Sequence, residues 1–404
     1  MNIATGPMSP IVKDRDDFKA IRRSLAQLVA AKDTHRAESS LRVSHDIYTD
    51  PIRWEAERAL LRTVPQLAGL SIQIQQAGDV LTFDHVGPQI MVIRQEDGGL
   101  KAFLNMCTHR AARIVQDCGR IKRLTCPFHA WTFGLDGKLK AVPGKEFFDA
   151  AMLGSRDLIE VPVAEWAGLI FVRATAGGDP IVVEDWLGGY ADHVKDFDLA
   201  NAAYIDTGRL EVRTNWKYAI DTFSENYHLP ALHTSSFGLD YVPNLLHYDA
   251  FGPHHRFALA NKSFRATVGC EEAKWNDPDV AVIGFIFPNL ILSMAPTPTG
   301  RHNLQLTRVY PGSAVDRTFS LTMTVALPGA DSEEDIAFAR ATHDNILIIN
   351  AQEDYLLAAD AQRNLQFAPE DFMVLYASIE PAVQDFHRHL ADALNMPMAS
   401  GTAR

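Results

Sequence analysis

The apolar positions of this chain change their period along its length. Near the N-terminus Phe18, Ile21, Leu25, Leu28 and Val29 fall on one face of a helix, with Asp16 placed to cap it. A second helix is expected from Asp50-Pro51, an acceptor followed by proline in the first turn, to about Leu61. From about residue 66 the pattern turns to strand. Ile90 to Arg94 and Leu100 to Asn105 flank Asp97-Gly98-Gly99, and Trp131 to Phe133 and Lys138 to Val142 flank Asp136-Gly137. Both pairs read as hairpins, and Trp166 to Val172 reads as a closing strand. The breaker run Gly177-Gly178-Asp179-Pro180 marks a domain boundary. Beyond it, Arg209 to Arg213 reads as a strand, and the runs Leu304, Leu306 and Phe319, Leu321, Met323, Val325 alternate as half-buried antiparallel strands do. A helix is expected from Trp216, another after the capping box Ser332-Glu-Glu-Asp335 to about Asp360, and a last one over Ser378 to Leu394. The fold class is therefore α+β: a small all-β domain, then a larger domain of antiparallel sheet with long helices. The expected divisions are a helical extension over 1–45, a helix over 46–65 packing on the larger domain, the β-domain over 66–176 and the larger domain over 177–404.

Composition narrows the function classes. The chain has 404 residues, 47% of them hydrophobic, enough for more than one core. A net charge of −12 excludes a generally basic nucleic-acid binder. The N-terminus has no basic region followed by an apolar run, so no signal peptide is read. The most apolar stretch, Val280 to Ala295, holds Pro288 and Asn289 and is short for a spanning helix, so no membrane is expected. Of four cysteines two belong to the motif below; Cys118 and Cys270 imply no disulfide framework. A cytoplasmic protein is expected.

The chemistry begins at Cys107-Thr-His109, which is followed after sixteen residues by Cys126-Pro-Phe-His129. Two thiolates and two imidazoles suit an iron–sulfur cluster or zinc. Structural zinc sites tend to keep their Cys together and their His together, whereas here each element gives one of each. A [2Fe–2S] centre with two Cys on one iron and two His on the other uses this ligand set. About a hundred residues on comes Glu225-Asn-Tyr-His228-Leu-Pro-Ala-Leu-His233. On a straight helix the two His would stand about 140° apart. Pro230 between them bends or ends the helix, so that both rings can turn to one point. Asp354, inside the helix expected over 333–360, is an acid that needs a partner if its face is buried. Two His and a carboxylate form the ligand set of non-haem Fe(II) oxygenases.

These motifs in this order, with Asn215-Trp216-Lys217 between them, resemble the α-subunit of Rieske non-haem iron oxygenases of the ring-hydroxylating or demethylating type, from about residue 48 onward. The resemblance implies that Cys107 and Cys126 bind one cluster iron, His109 and His129 the other, and His228, His233 and Asp354 the catalytic iron. It makes Glu225 the bridge between a cluster His of one subunit and an iron His of its neighbour, and so implies a homo-oligomer, a trimer with or without β-subunits. Glu at this place, where dioxygenases commonly have Asp, is similar to carnitine- and betaine-type monooxygenases. Asp221 is expected close to the iron pocket, and Phe223, Tyr227, Leu232 and Asp344 are candidate lining residues.

No G-x-G-x-x-G opens a helix after a strand, so NAD(P)H serves only indirectly, through a separate reductase or ferredoxin. Arg110, Arg113, Arg120, Lys122 and Arg123 form a basic patch beside the cluster motif that would steer an acidic donor. The expected activity is O2-dependent hydroxylation of an organic substrate, an aromatic one foremost. Oxidative demethylation or C–N cleavage of an amine, quaternary ammonium or methoxy compound is the alternative. A single-centre electron carrier or zinc protein is the reading from another class.

Overall fold

The computed structural model describes residues 15–154, 156–271 and 280–398, so the reading that the first residues carry no signal run lies outside it. The chain forms two compact units, one of residues 58–186 with 199–201, the other built from 15–57, 187–198 and 202 onward.

The smaller unit is all-β. Its main sheet has the order Glu160–Val161, Leu100–Leu104, Ile90–Arg94, Asp79–Phe83, Gly119–Arg120. The hairpin across Asp97-Gly98-Gly99 forms as expected, with Arg94 opposite Leu100. Leu124–Thr125, Thr132–Phe133 and Leu139–Ala141 make a second small sheet. Gly137 turns its hairpin at φ +81°, where a Cβ would stand 2.4 Å from the Phe103 ring. The expected closing strand is instead a hairpin: Val163–Trp166 and Leu169–Val172 pair through Ala167-Gly168, both with positive φ. Gly168 sits against the Leu199–Ala200 backbone, 2.2 Å from a would-be Cβ, so this turn admits no side chain there. The unit ends at Trp186, not at Gly177–Pro180, because Arg173 bonds the Asp179 carbonyl (2.9 Å) and Trp166 donates to Glu184 (3.1 Å).

The larger unit is organised on a seven-stranded antiparallel sheet: Ala203–Val212, Thr318–Ala326, His302–Pro311, Leu290–Pro296, Val280–Ile286, His254–Asn261, Tyr241–Phe251. The apolar stretch Val280 to Ala295 is thus a hairpin within it. Residues 15–57 are part of this unit. The helix Asp16–Ala31 buries Phe18, Ile21 and Leu25, with Leu28 and Val29 half-buried. The chain after it is tied to the Tyr241–Phe251 strand by His35 N–H on the Leu246 carbonyl (3.1 Å). Asp16 is not its cap: Arg15 holds that place, and Asp16 lies in the first turn, where its charge suits the helix N-terminus. Asp50 caps Pro51–Thr63 through the Ile52 N–H (2.8 Å).

Asn215-Trp216-Lys217 opens the helix Trp216–Asp221. The Asn215 side chain accepts from Lys217 N–H (3.1 Å) and donates to the carbonyls of Tyr48 (3.2 Å) and Val315 (3.1 Å). Lys217, 1% exposed, sets its Nζ 2.7 Å from Glu57, which also accepts from Trp216 Nε1 (2.7 Å). Burial pushes the Lys217 ammonium below its ordinary range, and the Glu57 carboxylate opposes that. Ser332 caps Glu333–Ile349 by accepting from Asp335 N–H (3.1 Å). The helix does not stop near Asp360: it widens to a π-turn at Asn350–Asp354 and resumes as Tyr355–Leu365. Pro381–Leu394 is the last helix, and Leu41–Ser44 pairs with Met373–Tyr376.

Candidate metal centres

Both Cys-His pairs lie on loops of one construction. Cys107 N–H bonds the Ala112 carbonyl (2.8 Å) and Ala111 N–H bonds Cys107 (2.8 Å); Cys126 N–H bonds Trp131 (2.8 Å) and Ala130 N–H bonds Cys126 (3.0 Å). Each loop turns on an alanine at positive φ, Ala111 at 60° and Ala130 at 56°. The thiols are buried in the apolar core with Phe103, Ile114, Leu124 and Phe133. Burial and the neighbouring Cys126 push the metal-free Cys107 thiol up, while the N–H groups of His109 and Arg110 pull it down. The His109 and His129 rings stand 4.7 Å apart and half-exposed, Trp131 stacked on His109 at 4.7 Å.

The Nδ1 atoms of His109 and His129 are buried and have no hydrogen-bond partner among the described residues. A buried imidazole nitrogen left so is costly unless something binds it, and a cluster between the loops satisfies both. Zinc does not fit. Among the described residues the donors that close to within 4.8 Å of one another are His228, His233 and Asp354, not these four, and a tetrahedral ion needs all four that close. Asn105, which the sequence reading missed, braces the first loop: it donates to the Val115 carbonyl (2.7 Å) and accepts from Ile114 (3.2 Å) and Val115 (2.9 Å) N–H.

The second constellation sits off the end of the Trp216–Asp221 helix. His228 and His233 are not on one helix: the chain turns after Asp221, and Pro230 starts the short helix Leu229–Leu232, with His228 at its N-cap and His233 just past its end. The Nε2 atoms of the two rings are 3.2 Å apart and lie 3.5 and 3.4 Å from Asp354 Oδ1. Gly238 lets this segment fold on itself, since a Cβ there would meet the Leu229 carbonyl at 2.1 Å. Three donors converging on one point fit one metal ion.

Each ring is also held from behind. Glu225 takes His228 Nδ1 on one oxygen and the N–H groups of Tyr227 and His228 (3.1 Å) on the other. Glu353 Oε2 lies 2.5 Å from His233 Nδ1 and accepts from Ser236 (2.9 Å). Neighbours on an α-helix point about 100° apart; here, within a π-turn, Glu353 and Asp354 both reach His233. Adjacency to Asp354 was the one signal for Glu353, and a regular helix argued against it. Glu353→Gln is expected to weaken metal at this site by about 10–100-fold. Iron retained on dialysis against a chelator measures this, with the cluster's visible absorbance as the internal control.

A cavity of about 270 Å³ opens beside the triad. Its wall includes Tyr48, Tyr218 and Tyr376, the carboxylates Asp221, Glu225 and Glu380, and Leu232, Val374 and Val383. Asp221 accepts from Tyr48 Oη, Tyr376 Oη (3.3 Å) and His387 Nε2 (2.9 Å). Burial, then the Asp221 charge, pushes both phenols well above their usual range, so they stay donors. Of the other candidate lining residues only Leu232 faces the cavity: Phe223 packs edge-on to Tyr355, Tyr227 is 57% exposed, and Asp344 lies exposed on the Glu333–Ile349 helix.

Burial, with the Glu225 and Asp221 charges adding to it, pushes the Glu380 carboxyl up to about 7. A raised folded value means the folded protein prefers the acid form. The benefit is full below the unfolded value near 4.5 and is lost as pH rises through about 7. Thermal stability of the iron-free protein is therefore expected to fall across that window, and Glu380→Gln to flatten the fall.

Among the described residues no helix is long and apolar enough to cross a membrane. Residues 65–151 match the Rieske [2Fe-2S] domain, and residues 184–396 match the catalytic domain of the ring-hydroxylating α-subunit. Choline monooxygenase of Amaranthus tricolor is 27% identical over 363 residues, 86% of this chain and 76% of that one. The glycine betaine monooxygenase oxygenase subunit of Chromohalobacter salexigens is 27% identical over 58% of this chain and 50% of its own. A solved quaternary ammonium Rieske monooxygenase in complex with L-carnitine shares the fold at TM-score 0.73 and 19% identity, over 91% of this chain and 98% of that one. The chain belongs to the ring-hydroxylating α-subunit family: it is the terminal oxygenase of a Rieske non-haem iron mono- or dioxygenase, with a [2Fe–2S] cluster and a mononuclear iron, supplied with NAD(P)H electrons by a separate reductase or ferredoxin.

Proposed function

We propose that this oxygenase hydroxylates a carbon next to nitrogen in a small cationic amine. One oxygen atom of O2 enters a C–H bond of that carbon and the other leaves as water, with two electrons from the donor and two protons completing the balance. The C–N bond of the resulting hydroxylated carbon can then break, releasing an amine and an aldehyde. The observation that carries this is the cavity of about 270 Å³, walled by three tyrosines and several carboxylates beside the metal-binding triad. Tyrosine faces and carboxylates attract a cation; an arene needs neither. The relatives named for choline and glycine betaine support the same substrate class.

In this reading His228, His233 and Asp354 hold the iron, and Cys107, Cys126, His109 and His129 hold the cluster. The iron supplies open positions for O2 when bound. Glu225 and Glu353 fix the histidine rings so that both Nε2 atoms face one point. Leu232, Val374 and Val383 give the cavity apolar wall. Glu225 is the acid that would reach a cluster His of a neighbouring subunit, which requires an oligomer, a trimer by the resemblance. The exposed Arg110, Arg120, Lys122 and Arg123 offer an acidic donor its landing place. The cytoplasm is the proposed compartment, in keeping with Cys118 and Cys270 forming no disulfide.

Substrate-dependent O2 uptake with a donor system, screened across quaternary amines, methoxyarenes, aromatic acids and arenes, tests this. Uptake with quaternary amines and release of an aldehyde are expected. Uptake with arenes alone, yielding cis-diols, would sink the amine reading.

A further inference from the structure

We propose that Asp221 anchors the substrate's positive charge, and that the site selects an amine monocation that carries no carboxylate; this rests on the amine reading above. Asp221 is 8% exposed and lines the cavity itself. Three buried donors hold its carboxylate from the protein side: Tyr48 and Tyr376 on Oδ2 and His387 on Oδ1. They come from three separate elements, Asp46–Thr49, Met373–Tyr376 and Pro381–Leu394. The described residues place no Lys or Arg in ion-pair range of Asp221; its ion-pair partner is His387. A carboxylate fixed in this way is oriented before the ligand arrives, so little ordering cost falls on binding. The half-buried Tyr218 adds an aromatic ring to the same wall, which can attract an alkylammonium.

The rest of the wall argues against a second, negative group on the substrate. It offers Glu225, Glu380 and Asp354, and among the described lining residues there is no Lys or Arg. Lys217 is sealed behind the wall against Glu57. A substrate carboxylate would find no Lys or Arg on the described wall to pair with, which is how a site rejects a close analogue. Choline-like cations therefore fit, and zwitterions with the same head group fit poorly.

Calorimetric titration of the iron-loaded protein with choline, glycine betaine and the neutral isostere 3,3-dimethylbutan-1-ol tests both halves. Choline is expected to bind about tenfold or more tighter than either of the others. Asp221→Asn is expected to weaken choline by about 30-fold and to leave the neutral isostere unchanged, with iron content retained. Tyr376→Phe keeps the shape and removes one donor, and should weaken choline by about threefold without touching the isostere. It decides the matter if the Asp221 variant does not hold iron. Glycine betaine binding as tightly as choline overturns the selectivity, and an unchanged choline affinity in both variants overturns the anchor. Failure of every cation to bind the wild-type protein overturns the amine reading as well.

Discussion

His228→Ala is expected to lower the iron content from three atoms per chain, two in the cluster and one mononuclear, to two, and to cut turnover by on the order of 1000-fold. The reason is geometric. His228, His233 and Asp354 are the only donors among the described residues that close on one point. Removing one leaves a bidentate site with the substrate cavity open beside it. The loss should exceed the 10–100-fold that removal of an outer partner such as Glu353 costs. The visible spectrum of the cluster should persist, because Cys107, His109, Cys126 and His129 lie on loops of the other unit, with their own bracing by Asn105 and Trp131. Three irons retained in the variant, or loss of the cluster together with the third iron, would contradict the two-centre assignment.

Glu57→Ala is expected to be the most destabilising of the single substitutions considered, by about 3–5 kcal/mol. It strands a Lys217 ammonium that is 1% exposed, and it leaves the Trp216 indole N–H without its acceptor. Attraction between the buried charges is needed because each has lost its water. Replacing Glu57 and Lys217 together by apolar residues, Glu57→Leu with Lys217→Met, removes that pair and should recover part of the loss, since the buried Arg53, 3.5 Å from Glu57, and the Trp216 indole still lose their acceptor. Denaturant midpoints of the two variants and the wild type measure it, and a double variant no better than Glu57→Ala would show that the pair does more than cancel its own burial.

What the sequence made legible follows from chemistry that is local. Cys and His at short spacings are rare enough to be noticed, and both candidate ligand sets could be proposed because each Cys-His or His-His pair lies within a few residues. The strands His302–Pro311 and Thr318–Ala326 were readable as antiparallel strands, but they are buried on both faces rather than half-buried as their alternation suggested. Tyr241–Phe251 and His254–Asn261 escaped because much of what they bury is polar: His247, His254, His255 and Arg256 are all buried there. Part of that polarity is met inside the fold, where Arg256 reaches Asp249 and, from the first helix, Asp17, each at 2.8 Å. The cavity wall escaped for a different reason. Tyr48, Asp221, Tyr376 and Glu380 are far apart in the chain, and no local pattern brings them together. Glu353 escaped because its direction depends on a departure from helical regularity that its neighbours' propensities do not announce.

That departure bears on how the protein can be altered. The five residues Asn350–Asp354 carry one more residue than an α-helical turn would need. Shortening the segment by one would let the whole of Glu333–Leu365 wind as a single rod, a more comfortable helix by every local measure. It would also swing the metal-binding carboxylate a quarter of the way around the axis, away from its two imidazoles. An engineer seeking heat resistance by idealising this rod would obtain a sturdier protein and an inert one.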